Sequence, residues 1–160
     1  MVKIYLHSNK KDEQVLRIPT EPVDFSMFNK QEMRTLIASM RATMKRASGV
    51  GLSANQVGIS KQFFVAQIEN KFYAIFNPKL TKKTKLINLE EGCLSVPENY
   101  GIIERYERVT LQGYDMNGKK LKINAWGLLA QVFQHEIDHL YGKLFIDEAK
   151  KLYPVSSIES

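Results

Sequence analysis

The sequence predicts an α+β fold, with mainly antiparallel sheets arranged around a central helix that carries a metal-binding H-E-x-x-H pattern. Helical periodicity occurs near residues 30–46 and again near 126–141. The strand-like runs between them are grouped rather than alternating with helices, which argues against βαβ units. Asn117-Gly118 also separates two strand-like runs, the strongest short-range signal of an antiparallel hairpin. A chain of 160 residues is long enough to bury one sizeable core, so residues 1–160 are read as a single domain.

Each element has its own reason. Met33, Leu36, Ile37, Met40 and Met44 fall on one face of a helix and are read as core. Asn29 with Glu32 resembles a capping box, and Gly49 lies just beyond the expected end. Strands are expected at 63–68 and 72–76, joined across Glu69-Asn70-Lys71. A second pair, 109–114 and 120–123, is joined across Asp115-Met116-Asn117-Gly118, where both central residues should accept positive φ. The second helix is expected from Trp126 to Tyr141, with Asn124 as N-cap and Gly142 just past the C-terminus. A short strand at 143–146 should follow.

Hydrophobic residues make up 44% and charged residues 25%, as in ordinary globular proteins. No apolar stretch approaches the roughly 20 residues of a spanning helix, so no membrane partner is expected. Met1 to His7 has no apolar core of a signal peptide and no transit-peptide composition, which makes the cytoplasm the expected compartment. The single cysteine rules out an intramolecular disulfide. Net charge is +6, with lysines clustered at 79, 82, 83 and 85 and at 119, 120 and 122. Without interleaved aromatics or a nucleic-acid motif, these are read as solvated strand edges and loops.

The second helix carries the chemistry. His135 and His139, at i and i+4, project from one face and can reach one ion, while Glu136 lies one step round. This is the spacing in which a glutamate handles the proton of a metal-activated water. Leu128 and Val132 share the histidine stripe. A catalytic site of this type needs a third protein ligand, and the helix does not say which. Glu159, Asp147 and Glu148 read better as surface carboxylates. Cys93, in Glu90-Glu91-Gly92-Cys93-Leu94-Ser95-Val96-Pro97, is a soft donor once deprotonated, beside Gly92 and with Pro97 expected to end its strand. Gly49-Val50-Gly51-Leu52-Ser53-Ala54-Asn55-Gln56 suits a tight backbone path beside a ligand. It is neither a dinucleotide fingerprint nor a P-loop.

Together, and in this order, the three segments resemble those of peptide deformylases. That family carries G-φ-G-φ-A-A-x-Q, E-G-C-L-S and H-E-x-D-H boxes, standing here at Gly49–Gln56, Glu91–Ser95 and His135–His139. The second and third match fully, and the first departs at Ser53, where alanine is usual. The resemblance covers most of the chain and implies a peptide deformylase-like catalytic domain. It implies metal-dependent removal of the N-formyl group from the initiator methionine of nascent polypeptides, with release of formate. The implied ligands are Cys93, His135 and His139, holding Fe²⁺, with zinc, nickel or cobalt able to replace it. Glu136 would be the general acid/base, and the Leu94 N–H and Gln56 amide would meet developing oxyanion charge. Val50 and Gly51 would pair with an N-formylmethionyl peptide, and Val50, Leu128 and Val132 would receive its methionine side chain. Glu91 and Arg105 would form a charged pair beneath the cysteine strand, the competing reading being two surface charges. Asp138 would hold the helix or a histidine. Tyr100 stands where many relatives have arginine, which bears on peptide preference. The chain stops soon after Phe145, so the ribosome contact that longer relatives make through a C-terminal helix is not carried over. The chain is expected to be a monomer. Two rivals remain at this point: a metallopeptidase using Glu159, and an inactive module that only binds formylated chains.

Overall fold

The run Phe63-Phe64-Val65-Ala66 is apolar without alternation, which a strand tolerates only when both faces are covered. In the computed structural model, which describes residues 1–157, that is its situation. Strand β2 (Phe63–Ile68) sends Phe64 and Ala66 towards one helix, and Phe63 and Val65 towards another. The second of these helices, α2 (Lys30–Arg46), supplies buried Ile37, Met40 and Met44, with Met33 and Leu36 packed at the margin. The first, α3 (Gly127–Leu140), supplies Ala130, Phe133, Ile137 and Leu140. Each fully buried side chain of this size contributes about 1.5–3 kcal/mol.

The remaining strands are β1 (Gly51–Ser53), β3 (Lys71–Cys93), β4 (Val96–Tyr114), β5 (Lys120–Trp126) and β6 (Lys151–Pro154). They form one antiparallel sheet in the order β1-β2-β3-β4-β5, with β6 pairing separately with β4. The α+β class with an antiparallel sheet around the H-E-x-x-H helix therefore stands. β3 and β4 run far beyond the short strands expected, and register shifts near Asn77 and Thr81 bend the ribbon they form. Lys79, Lys82, Lys83 and Lys85 lie exposed on β3, as expected for solvated strand. A short helix absent from the sequence reading, α1 (Lys10–Leu16), is capped by the Asn9 side chain, which accepts from Lys11 and Asp12 N–H.

Several local expectations shift. Ser48, at φ 58°, takes the left-handed position after α2, and Gly49 N–H reaches back to the Met44 carbonyl at 2.9 Å. A Schellman turn thus closes at Ser48, and Gly49 lies just beyond the helix end as expected. The β2–β3 turn is Glu69-Asn70 alone, with Glu69 at φ 57°. In the β4–β5 turn only Gly118 has positive φ, because Asp115 Oδ1 accepts from Asn117 and Lys119 N–H and sets a different turn. Asn124 does not cap α3: it lies on β5 and accepts from Thr110 Oγ, while Trp126 occupies the N-cap position. Gly142, at φ 79°, does follow α3 as expected. Residues 143–146 form no strand, since a 3-10 turn at Phe145–Asp147 is held by Leu144 N–H donating to Asp147 Oδ2. Pro97 does not end a strand but stands second in β4, where a missing N–H is tolerated.

Candidate active site

β3 and β4 meet in a tight hairpin whose tip is Leu94-Ser95, with Cys93 facing Val96 across it. The tip is anchored by a small cluster of Val96, Ile103, Leu144 and Phe145, so the cysteine is fixed in place. α3 brings the histidines to the same point. Cys93 Sγ lies 3.3 Å from His139 Nε2, and the two Nε2 atoms are 3.1 Å apart. Donors around a four-coordinate ion at about 2.0–2.3 Å stand about 3.3–3.7 Å from one another. One sulfur and two imidazole nitrogens converging at nearly that spacing fit a divalent transition metal. Among the described residues, this triad is the group able to hold one.

A chain of charges supports His135. Its Nδ1 donates to Glu91 Oε1 at 2.5 Å, which leaves Nε2 as the lone-pair donor. Arg105 donates to Glu91 through Nε at 3.0 Å and Nη2 at 2.5 Å, and through Nη1 to Asp138 at 2.6 Å. Glu91 and Arg105 are only 6% and 5% exposed, which rejects the surface-charge reading. Burial alone would raise the Glu91 carboxyl, but His135 and Arg105 outweigh it and bring it to about 2. Burial lowers His139 well below its ordinary value and so keeps the imidazole neutral, as ligation requires.

Glu136 is 3% exposed, and its Oε2 has no hydrogen-bond partner among the described residues. Burial pushes this carboxyl up to about 7. Gly51 makes room for it: a Cβ there would stand 2.5 Å from Glu136 Oε1 and 3.0 Å from Val132. Gln56 is held by its oxygen, which accepts from Ser53 N–H at 3.0 Å, while Nε2 donates to Ser95 Oγ at 3.0 Å and faces Cys93 Sγ at 3.7 Å. Gly51, Gln56, Glu91, Cys93, His135 and Glu136 line one cleft of about 710 Å³, bounded also by Val50, Leu94, Tyr100, Leu128 and Val132. Val132 is buried in its wall, while Leu128 and Val50 stand at its open side.

Every site residue expected from sequence except His139 lines this cleft, and His139 lies behind it against Cys93 and His135. Of the carboxylates considered as third ligands, Asp147 and Glu148 do not join the metal cluster. Asp147 is engaged by Arg17 at 2.6 Å, Glu148 is exposed, and Glu159 lies outside the described residues. Sequence reasoning named Glu91, Arg105 and Asp138 as supports and missed others. Ser95 anchors Gln56, and Asn55 donates to the His139 carbonyl at 2.5 Å. The N-terminal segment ties both loops, with Tyr5 N–H on the Gln56 carbonyl and His7 N–H on the Ser95 carbonyl. No periodicity marks that segment, because its bonds are made by backbone.

The chain matches the polypeptide deformylase family model over residues 3–154. It is 42% identical over 150 residues to the peptide deformylase of Symbiobacterium thermophilum, covering 92% of this chain and 68% of that one. The peptide deformylase structure from Thermotoga maritima superposes with a TM-score of 0.85 at 36% identity, covering 94% of this chain and 99% of that one. A class I type b peptide deformylase from Acinetobacter baumannii, with Met-Ala-Ser bound, gives a TM-score of 0.85 at 29% identity, over 92% of this chain and 98% of that one.

Proposed function

This chain belongs to the polypeptide deformylase family, a metal-dependent hydrolase that removes the N-formyl group of formylmethionyl peptides, and on that premise we propose how its residues divide the work. The reading rests above all on one observation: a buried Glu136 carboxylate oxygen, without a partner among the described residues, stands in the cleft beside the converging Cys93, His135 and His139.

Cys93, His135 and His139 would hold the ion, and we take it to be Fe²⁺, with zinc, nickel or cobalt able to occupy the same donors. When bound, the ion supplies Lewis acidity and lowers the pKa of water at the site. Glu136 takes a proton from the water that attacks the formyl carbon, then delivers it to the peptide nitrogen as the C–N bond breaks. Formate and a free amino terminus result. Gln56 Nε2 and the Leu94 N–H donate to the formyl oxygen as negative charge grows there. β1 is an edge strand, so an extended peptide can add alongside Val50 and Gly51 by backbone pairing. Val50, Leu128 and Val132 form the apolar side of the cleft and receive the methionine side chain. The enzyme is proposed to act as a one-domain monomer, residues 1–160, in the cytoplasm. No described helix is long and apolar enough to cross a membrane.

Anaerobically prepared, iron-loaded protein is expected to release formate from formyl-Met-Ala-Ser, the formylated form of the peptide bound by the Acinetobacter relative. Cys93→Ala is expected to lose metal and activity together. A Cys93→Ala protein with full metal content and full activity would contradict the ligand set and restore the carboxylate-ligand alternative.

A further inference from the structure

Ser53 interrupts an otherwise apolar stretch, is 0% exposed, and carries a hydroxyl that the mechanism above does not use. Its Oγ lies 3.0 Å from Gln56 Oε1 and 2.9 Å from Asn55 Oδ1. We propose that Ser53 is a positioning residue, whose hydroxyl, with its own N–H, holds the Gln56 carboxamide so that Nε2 faces the reacting centre.

A carboxamide has a donor end and an acceptor end, and rotation by half a turn exchanges them. Gln56 Oε1 accepts from Ser53 N–H at 3.0 Å, and Nε2 points to Ser95 Oγ and Cys93 Sγ. The flipped amide would set its NH₂ against the Ser53 N–H, donor against donor, in a site without solvent. The backbone N–H therefore selects the orientation, and the hydroxyl strengthens the hold with a second donor. The hydroxyl has one proton for two acceptors, so Ser53 also links Gln56 to Asn55. Asn55 in turn donates to the carbonyl of His139, at the end of the helix that bears the metal ligands. Alanine here would keep the N–H and lose both hydroxyl contacts.

The inference rests on the role given to Gln56, and a double-mutant cycle separates the two. Iron-loaded wild type, Ser53→Ala, Gln56→Ala and the double variant are compared for kcat, KM, metal content and thermal midpoint with formyl-Met-Ala-Ser. Ser53→Ala is expected to lower kcat per metal about five-fold, the worth of one buried hydrogen bond, with KM and metal content unchanged. In the Gln56→Ala background the same substitution is expected to do nothing further to kcat. An equal loss in both backgrounds, an unchanged kcat, or a loss accounted for by missing metal or unfolding would overturn the proposal. Gln56→Ala at wild-type kcat would instead overturn the role of Gln56 itself.

Discussion

Glu91 accepts from Arg105 at 2.5 and 3.0 Å, from His135 at 2.5 Å and from Gln131 at 3.3 Å. Two of those bonds neutralise the buried Arg105, and the third sets the tautomer of a metal ligand. Glu91→Gln is expected to cost about 3 kcal/mol, because the guanidinium loses its main counter-charge. It is also expected to weaken metal binding about 10–100-fold. The pH sign follows from the low native value. Folded Glu91 titrates near 2, against an ordinary 4.5, so its contribution is full above about 4.5 and is lost as pH falls towards 2. Urea titrations of wild type and variant should converge over that window. A gap that widened on acidification would reject this account. The sequence offered the pair through the family resemblance, beside a competing reading of two surface charges. What could not be read was burial, because that depends on α3 closing over β3 and β4.

Among the elements, α2 and α3 were legible because their apolar faces repeat at helical spacing. β2 was legible because its first four residues, Phe63 to Ala66, are all apolar. The long ribbon of β3 and β4 was not, since Lys82, Lys83 and Lys85 break its pattern and its shape comes from register shifts. The ends of α2 were read correctly, but the N-cap of α3 was misplaced by two residues because it depends on tertiary neighbours. Trp126, for instance, caps α3 only because β5 continues through Asn124. The end of α2 offers a test. Ser48 holds the left-handed conformation that costs a residue with a Cβ about 1 kcal/mol. Ser48→Gly is expected to stabilise the protein by about 0.5–1 kcal/mol, seen as a rise of about 1–4 °C in the thermal midpoint. A lowered midpoint would show that the turn is held by something other than its backbone.

Taken whole, the molecule is a clamp on three chain segments that lie far apart in sequence. Gly49–Gln56 enters from β1, Cys93 from the hairpin tip, and His135 and His139 from α3, while the N-terminal segment ties the first two together. The three boxes could be read in the sequence because each keeps its local spacing. Their supports could not, since Ser95, Asn55 and the Tyr5 and His7 amides become partners only on folding. An ion bound by two elements should stabilise the native state by linkage, by about 4 kcal/mol at a free concentration 1,000 times its Kd. Chelation is therefore expected to lower the thermal midpoint, and Fe²⁺ returned under anaerobic conditions to restore it. An unchanged midpoint would mean that the ligands do not bridge β3 and α3.

Deformylation by this chain depends on Glu136 as the proton carrier beside an intact metal centre. The direct measurement is formate release from formyl-Met-Ala-Ser by iron-loaded Glu136→Gln, with metal per chain determined on the same sample. The expected result is full metal occupancy with kcat lowered by at least about 100-fold. Full metal occupancy with near-wild-type kcat would contradict it.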